Sequence, residues 1–241
     1  IGRAPRQTIE QTAQKVHTLV VPAPAEADKL QSWGVGNTAV ILPGIDAARF
    51  QYAPPPAPPP FTLMMGSAPW TRAQFRSKGV DALLEAARLR PDLRLIFLWR
   101  GVLAGEMARR VADAGLSERV TVYNERVDVN RILAQVHASV VLADDLALVK
   151  AYPHSLLESL AAGKPALVSR ALPMADYVKK NRCGQAVVEV SAASVLDALE
   201  NLTKNYARYS QNALLAGRRD FSLNRFMAAY QNLYRGIVSE K

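Results

Sequence analysis

The sequence predicts an α/β fold: a parallel sheet with helices on both faces, followed by further helices at the carboxyl end. Three observations carry that expectation. From Phe61 onward, short apolar segments alternate with helix-like segments of about ten residues, the pattern of βαβ units. Residues 54–60 (PPPAPPP) precede this alternation and read as an extended, semi-rigid boundary. The apolar, branched run ASVVLA (138–143) reads as a strand buried on both faces, as parallel strands are.

In chain order, a basic, Gln-rich helix spans 6–15, followed by a strand at 18–21, a helix at 25–33 ended by Gly34, and a strand at 39–42 leading into Pro43-Gly44-Ile45-Asp46. Beyond the prolines, strands are expected at 61–65, 93–99, 119–123, 138–143, 166–169 and 185–190. Helices are expected at 80–89, 105–114, 129–136, 153–162, 194–202, 206–215 and 223–238. No internal repeat is visible.

The helix that begins near Pro153 organises the rest. Pro153 suits a first helical turn, where its missing N–H leaves no bond unmade. Gly163 suits the left-handed residue after the last turn, and Pro165 forbids continuation. Leu156, Leu157, Leu160 and Ala161 form one apolar face, leaving Ser155, Glu158 and Ser159 off it. With Tyr152 at the capping position, no short side-chain oxygen accepts from the first turn. The amides of His154 and Ser155 then await an acceptor that the helix dipole prefers to be anionic. The carboxyl end of a parallel strand is where open α/β sheets bind ligands. A diphosphate at the helix start with a ribose at Glu158 describes a nucleotide-sugar; a water-capped helix with a solvated Glu158 is the plain alternative.

Composition narrows the classes. The chain has 241 residues, enough to bury a full core, and its 49% hydrophobic content is ordinary for a globular protein. No apolar run approaches the ~20 residues of a membrane span. It starts at Ile1 without a leader-like pattern and reads as a fragment. The one cysteine, Cys183, excludes an internal disulfide framework, and three scattered histidines (17, 137 and 154) offer no metal spacing, so no metal or cofactor is expected. The net charge of +9 is spread over many helices without a basic block or an aromatic–basic strand. Anionic substrates or peripheral attraction to a membrane surface are therefore expected ahead of nucleic acid.

Several motifs in order resemble the donor-binding, carboxyl-terminal lobe of GT-B retaining glycosyltransferases of the family-4 type. Val40-Ile41-Leu42-Pro43-Gly44-Ile45-Asp46 with Phe50 is similar to the hinge motif, without its Asn. Leu63-Met64-Met65-Gly66, then Lys78-Gly79-Val80-Asp81-Ala82-Leu83-Leu84-Glu85-Ala86, resembles the glycine loop and the helix after it. Leu95 to Gly101, Tyr152 to Pro165, and Gly184 with Val187 and Val188 match the remaining signatures.

The resemblance implies a Rossmann-like domain at 61–220, a linker at 54–60, the tail of an amino-terminal lobe with its hinge at 1–53, and a closing helix at 221–241. It implies a nucleotide-diphosphate sugar as donor, a sugar or lipid-linked acceptor, transfer with retention, and a cytoplasmic setting at the inner membrane face. Backbone N–H groups around Ser155 and Leu156 would hold the diphosphate, Glu158 the ribose, and Lys78 would neutralise the departing diphosphate. Val127, with Glu125 and Arg126, would border the base.

The departures matter as much. The family's glycine–arginine pair is Gly66-Ser67 here, and an insertion of about six residues follows; Arg72 or Arg76 is the candidate to restore the guanidinium. The family's first sugar-binding glutamate is Lys150, whose ammonium accepts no hydrogen bond. Either the donor sugar is held differently, with Lys150 pairing a sugar carboxylate, or the domain is a non-catalytic interaction or regulatory module. Asp144 and Asp145 are candidates to replace the lost carboxylate, and His154 lies within reach of the sugar. Trp70 and Trp99 are expected to anchor loops or core, and Cys183 to be an inert buried thiol. An epimerase or phosphorylase on a similar two-lobe fold fits the motifs less well.

Overall fold

The structure, a computed structural model, describes residues 5–99 and 101–239. An amino-terminal segment contributes α1 (Arg6–Ala13), β1 (Leu19–Val21), α2 (Pro24–Ser32) and β2 (Thr38–Val40), with β1 and β2 paired in parallel. Ala13, Val21, Ala27, Leu30 and Val35 form a small core of their own there.

The main domain runs β3 (Phe61–Met65), α3 (Gln74–Ser77), α4 (Val80–Leu89), β4 (Leu93–Leu98), α5 (Ala104–Asp113), β5 (Val120–Tyr123), α6 (Val129–Leu133), β6 (Ala138–Val141), α7 (His154–Ala161), β7 (Ala166–Ser169), α8 (Met174–Asn181) and β8 (Gly184–Val187). Three helices close the chain: α9 (Ala192–Lys204), α10 (Tyr206–Asp220) and α11 (Leu223–Ser239). The six strands are all parallel, in the order β5-β4-β3-β6-β7-β8. The first strand of the domain thus pairs with both the second and the fourth, which makes β3/β6 the point where the winding reverses.

Strand periodicity divides the core into two layers. Leu63, Leu95, Phe97 and Val140 face α4, α5 and α9 in one cluster. Val141, Val168, Leu156, Leu157, Leu160, Ala175, Val178 and Ala213 fill the opposite layer between the sheet and α7, α8 and α10. Two glycines allow the closest approaches in this layer. A Cβ on Gly184 would lie 2.0 Å from the Ala166 carbonyl oxygen, and one on Gly217 would lie 2.4 Å from the Ala161 nitrogen.

The expected α/β architecture is what the chain adopts, with differences in detail. Helix α8 and the short α3 escaped the sequence reading. The final strand stops at Val187, where pairing with β7 ends, rather than at 190. Helices α9 and α10 are longer than expected because Val195, Ala198, Leu199, Leu202, Ala213 and Ala216 all find core partners. The proline stretch is not a free spacer: His137 Nε2 lies 3.0 Å from the Pro56 carbonyl. Helix α11 returns to the amino-terminal segment, where Ile45 N–H donates to Phe221 O (2.8 Å) and Leu223 N–H donates to Ile45 O (2.8 Å).

Candidate functional site

The winding reverses between β3 and β6, whose carboxyl ends are where open α/β sheets place a ligand crevice, and α7 follows β6 in the chain. Pro153 (φ −65°, ψ 127°) is the cap and His154 the first helical residue, one position later than the sequence suggested. Tyr152 is no cap but core. It packs against Tyr177 and Phe221 at ring separations of 6.1 and 5.8 Å, and burial pushes its phenol up to about 12. No side chain caps the helix. The Pro153 carbonyl accepts from the amides of Leu156 (3.0 Å) and Leu157 (3.3 Å). The amides of His154 and Ser155 have no acceptor among the described residues. They form, with the helix dipole, an anion-accepting end.

The loop after β3 closes on that end. A Cβ built on Gly66 would lie 3.1 Å from Ser155 Cβ, so any side chain there would crowd the start of the helix and push the loop back by a few tenths of an ångström. Lys78 reaches the same loop from the other side. Its Nζ donates to the Ala68 carbonyl at 2.9 Å, and the residue is only 4% exposed. The inserted segment explains how Lys78 arrives there. Phe75, fully buried, anchors α3 against Trp99 at 5.6 Å between rings, and Ser77 O accepts from Asp144 N at 3.0 Å. Gly79 then turns the chain at φ +73° directly over Leu142, where a Cβ would collide at 2.5 Å. Burial lowers the pKa of Lys78, and among the described residues no carboxylate pairs with it.

The other expected residues fall into three groups. Glu158 is half-buried on α7, three and four residues past Ser155 and His154, and so on their face of the helix. Lys150 and His154 are exposed, the first in the loop before α7 and the second at its first position. The histidine pKa is lowered by burial first and by the Lys150 charge second, which puts the two side chains within electrostatic reach. Arg76 and Arg72 are exposed on and beside α3, and no hydrogen bond brings either to the Gly66 loop.

Val127 sits at the carboxyl side of β5, packed in a cluster with Phe50, Leu98 and Tyr123. Sequence reasoning missed what holds that loop. Asn130 accepts from Gln51 N (3.1 Å) and donates to Arg49 O (2.8 Å), stapling the segment at 49–51 to the start of α6. An Asx pattern, Asp128 capping Asn130, was the available signal.

Of the proposed replacement carboxylates, Asp145 turns back to accept from Ala147 N at 2.8 Å, capping its own short turn. Asp144 is exposed. Trp99 is buried core with its indole N–H 3.4 Å from Val102 O, whereas Trp70 is 70% exposed. Cys183 is a buried thiol pushed up to about 12 by burial. Arg100, inside the Leu95–Gly101 motif, lies outside the described residues. Among the described residues no group of three or more His, Cys, Asp or Glu side chains is arranged to hold a metal, and no helix is long and apolar enough to cross a membrane.

A family model described as glycosyl transferases group 1 matches residues 68–215. No curated protein matches by sequence. Among solved structures, a sucrose-phosphate synthase from Thermosynechococcus elongatus superposes with a TM-score of 0.77 at 17% identity, over 99% of this chain and 63% of that one. A glycosyltransferase from Rickettsia africae gives 0.78 at 14% identity, over 100% and 69%. Anabaena HepE in complex with UDP and glucose gives 0.73 at 13%, over 98% and 68%. At such identities the likeness is one of fold, and this chain spans less than two thirds of the synthase.

Proposed function

The chain belongs to the glycosyl transferases group 1 family, and from that premise we propose that it is the donor-binding part of a glycosyltransferase. The donor is a nucleotide-diphosphate sugar, and transfer to a sugar or lipid-linked acceptor retains anomeric configuration. The observation that carries this reading is the approach of Gly66 to Ser155 at the winding reversal, with Lys78 behind the same loop. The solved structure of HepE with UDP and glucose, on the same fold, supports it.

In this reading the amides of His154 and Ser155 and the Lys78 charge receive the diphosphate. Negative charge builds there as the bond to the sugar breaks, and donors already fixed in place stabilise it without reorganising. Glu158 accepts from ribose hydroxyls, and Val127 borders the base. Arg76 is exposed next to Lys78 and would reach the diphosphate only by swinging over the loop. His154 and Lys150 flank the sugar. The acceptor comes from outside this chain, so the chain alone binds donor without efficient transfer; a peripheral position on the cytoplasmic face of a membrane fits its +9 charge.

Calorimetric titration with UDP, GDP and ADP tests this. Saturable binding of one nucleotide, abolished by Glu158→Ala, is the expected result. No heat with any of the three would overturn it and leave a non-catalytic interaction module.

A further inference from the structure

Lys150, exposed in the loop before α7, is a cation that the diphosphate seat described above does not use. The helix-end amides and Lys78 already supply two hydrogen-bond donors, a dipole and a full charge on the Gly66 side. Lys150 lies in the loop before α7, and among the described residues no carboxylate pairs with it.

Its backbone is held in place although its side chain is exposed. Ala151, Tyr152 and Pro153, which follow it, are all buried, and Tyr152 is wedged among Tyr177 and Phe221. On the other side, Asp145 caps the short helical turn at 146–148, whose last amide partner is Val149 N to Leu146 O at 3.4 Å. The ammonium is therefore presented from a fixed base rather than from a loose loop. Asp145 commits one carboxylate oxygen to its own turn, and Asp144 is exposed beside it. An ammonium accepts no hydrogen bond, so Lys150 itself selects an anionic group over a neutral hydroxyl.

We propose that the donor sugar carries a carboxylate and that Lys150 pairs with it, making the substrate a nucleotide-diphosphate-linked uronic acid. The inference rests on the donor-binding reading above and narrows it. His154, on the first turn of α7 and within electrostatic reach of Lys150, brings a second nitrogen to the same neighbourhood.

The experiment uses the full chain and whichever of UDP, GDP or ADP binds it, together with the glucosyl and glucuronosyl diphosphate forms of that nucleotide. The glucuronosyl form is expected to bind about tenfold or more tightly than the glucosyl form, as charge-assisted pairs do relative to neutral ones. Lys150→Glu is expected to reverse that preference while leaving the bare nucleotide within about twofold, because the diphosphate seat is untouched. Lys180→Glu, the same charge change at an exposed position on α8, is expected to alter neither ratio. Equal binding of the two sugar forms overturns the inference but leaves the donor-binding reading intact. So does an equal loss for bare nucleotide in Lys150→Glu, which would make Lys150 a phosphate ligand. Failure of all three nucleotides to bind overturns both.

Discussion

Gly66 and Ser155, ninety residues apart in sequence, stand so close that a single methyl group on the first would come within 3.1 Å of the second. This contact brings the loop after the central strand onto the start of α7. Because 3.1 Å is a crowded but not impossible distance, Gly66→Ala should leave the fold intact and shift the loop by a few tenths of an ångström. Nucleotide affinity should drop by about five- to tenfold, since a seat made of backbone donors depends on their placement. Ser155→Gly in the same chain removes the obstructing Cβ, keeps the amide, and should recover most of the loss. Calorimetry on the single and double variants decides it; a Gly66→Ala protein that binds like the parent would separate this contact from ligand binding.

Lys78 should matter to both binding and pH response. Removing its ammonium in Lys78→Met keeps most of the buried stem but leaves the Ala68 carbonyl without its donor. Donor affinity should fall about tenfold or more, with about 1 kcal/mol lost from stability. Burial lowers the pKa of Lys78, so its charge disappears at lower pH than that of a free lysine. Affinity should accordingly decline as pH rises through the lowered value. In Lys78→Arg, whose guanidinium stays charged, that alkaline decline should vanish. Titrations across the alkaline range would show an unchanged profile if Lys78 were only scaffold.

Much of this arrangement could be read from the sequence, and the unread parts have physical reasons. The strands at 61–65 and 166–169 were legible because both faces are buried and the runs are continuous, and that at 93–98 because only Arg94 interrupts its apolar run. The α7 start was legible because Pro153 and Gly163 punctuate it. Helix α8 was not: it opens with Pro173 as a helical cap residue and has only Met174, Ala175 and Val178 as its buried stripe, too short a period to separate from loop. The insertion carrying Arg76 read as a detour, whereas its decisive residue is Phe75, whose burial against Trp99 depends on strands far away in sequence. Nor could spacing reveal that Gly217 is needed for α10 to lie on α7, because close approach is a property of the packed pair. Lys78 stands out in the sequence by the motif around it, whereas its burial and its hydrogen bond to Ala68 depend on the folded loop.

His137 ties the proline-rich segment to the sheet and should make the fold acid-sensitive. Its Nδ1 accepts from Thr62 N at 3.0 Å, which leaves Nε2 to carry the proton toward Pro56 O, also at 3.0 Å. The ring stacks on Phe61 at 4.4 Å. Burial first, and the Lys164 charge as well, hold its pKa below the ordinary histidine value, against the opposing pull of the Pro56 carbonyl. Below that ordinary value the unfolded chain takes up a proton that the folded one refuses. The contribution of His137 is therefore complete above about pH 6.5 and is lost as pH falls through the depressed folded value. His137→Ala should lose roughly 2 kcal/mol near neutrality through two unpaired backbone groups and a vacated ring site. Urea melts should show the gap between parent and variant narrowing in acid; a gap independent of pH would rule out the titration of this ring as its source.

Lys164 should be a residue whose removal strengthens the protein. It is fully buried at the turn between α7 and β7, and its Nζ finds no hydrogen-bond partner among the described residues. The backbone on either side is firmly held, with Lys164 N–H donating to Ser159 O at 2.9 Å and Ser159 Oγ donating to Lys164 O at 3.2 Å, so the side chain does not choose its surroundings. Desolvation lowers its pKa from 10.5 to about 8. At neutral pH the folded chain must therefore hold a charged amine where that charge is disfavoured, or give up its proton. Between the two pKa values the unfolded chain binds the proton more readily, so stability rises with pH from about 8 toward 10.5 and is depressed below that window. Lys164→Met matches the stem in length, carries no charge and needs no partner. It should raise stability at pH 7 by roughly 1–3 kcal/mol, several degrees in melting temperature, and flatten the alkaline rise. The proposed donor seat is at the other end of α7, so nucleotide affinity should not change. A variant that melts earlier than the parent at pH 7 would mean that the amine has a partner inside the fold, with Ser139, whose buried hydroxyl also lacks one among the described residues, the first place to look.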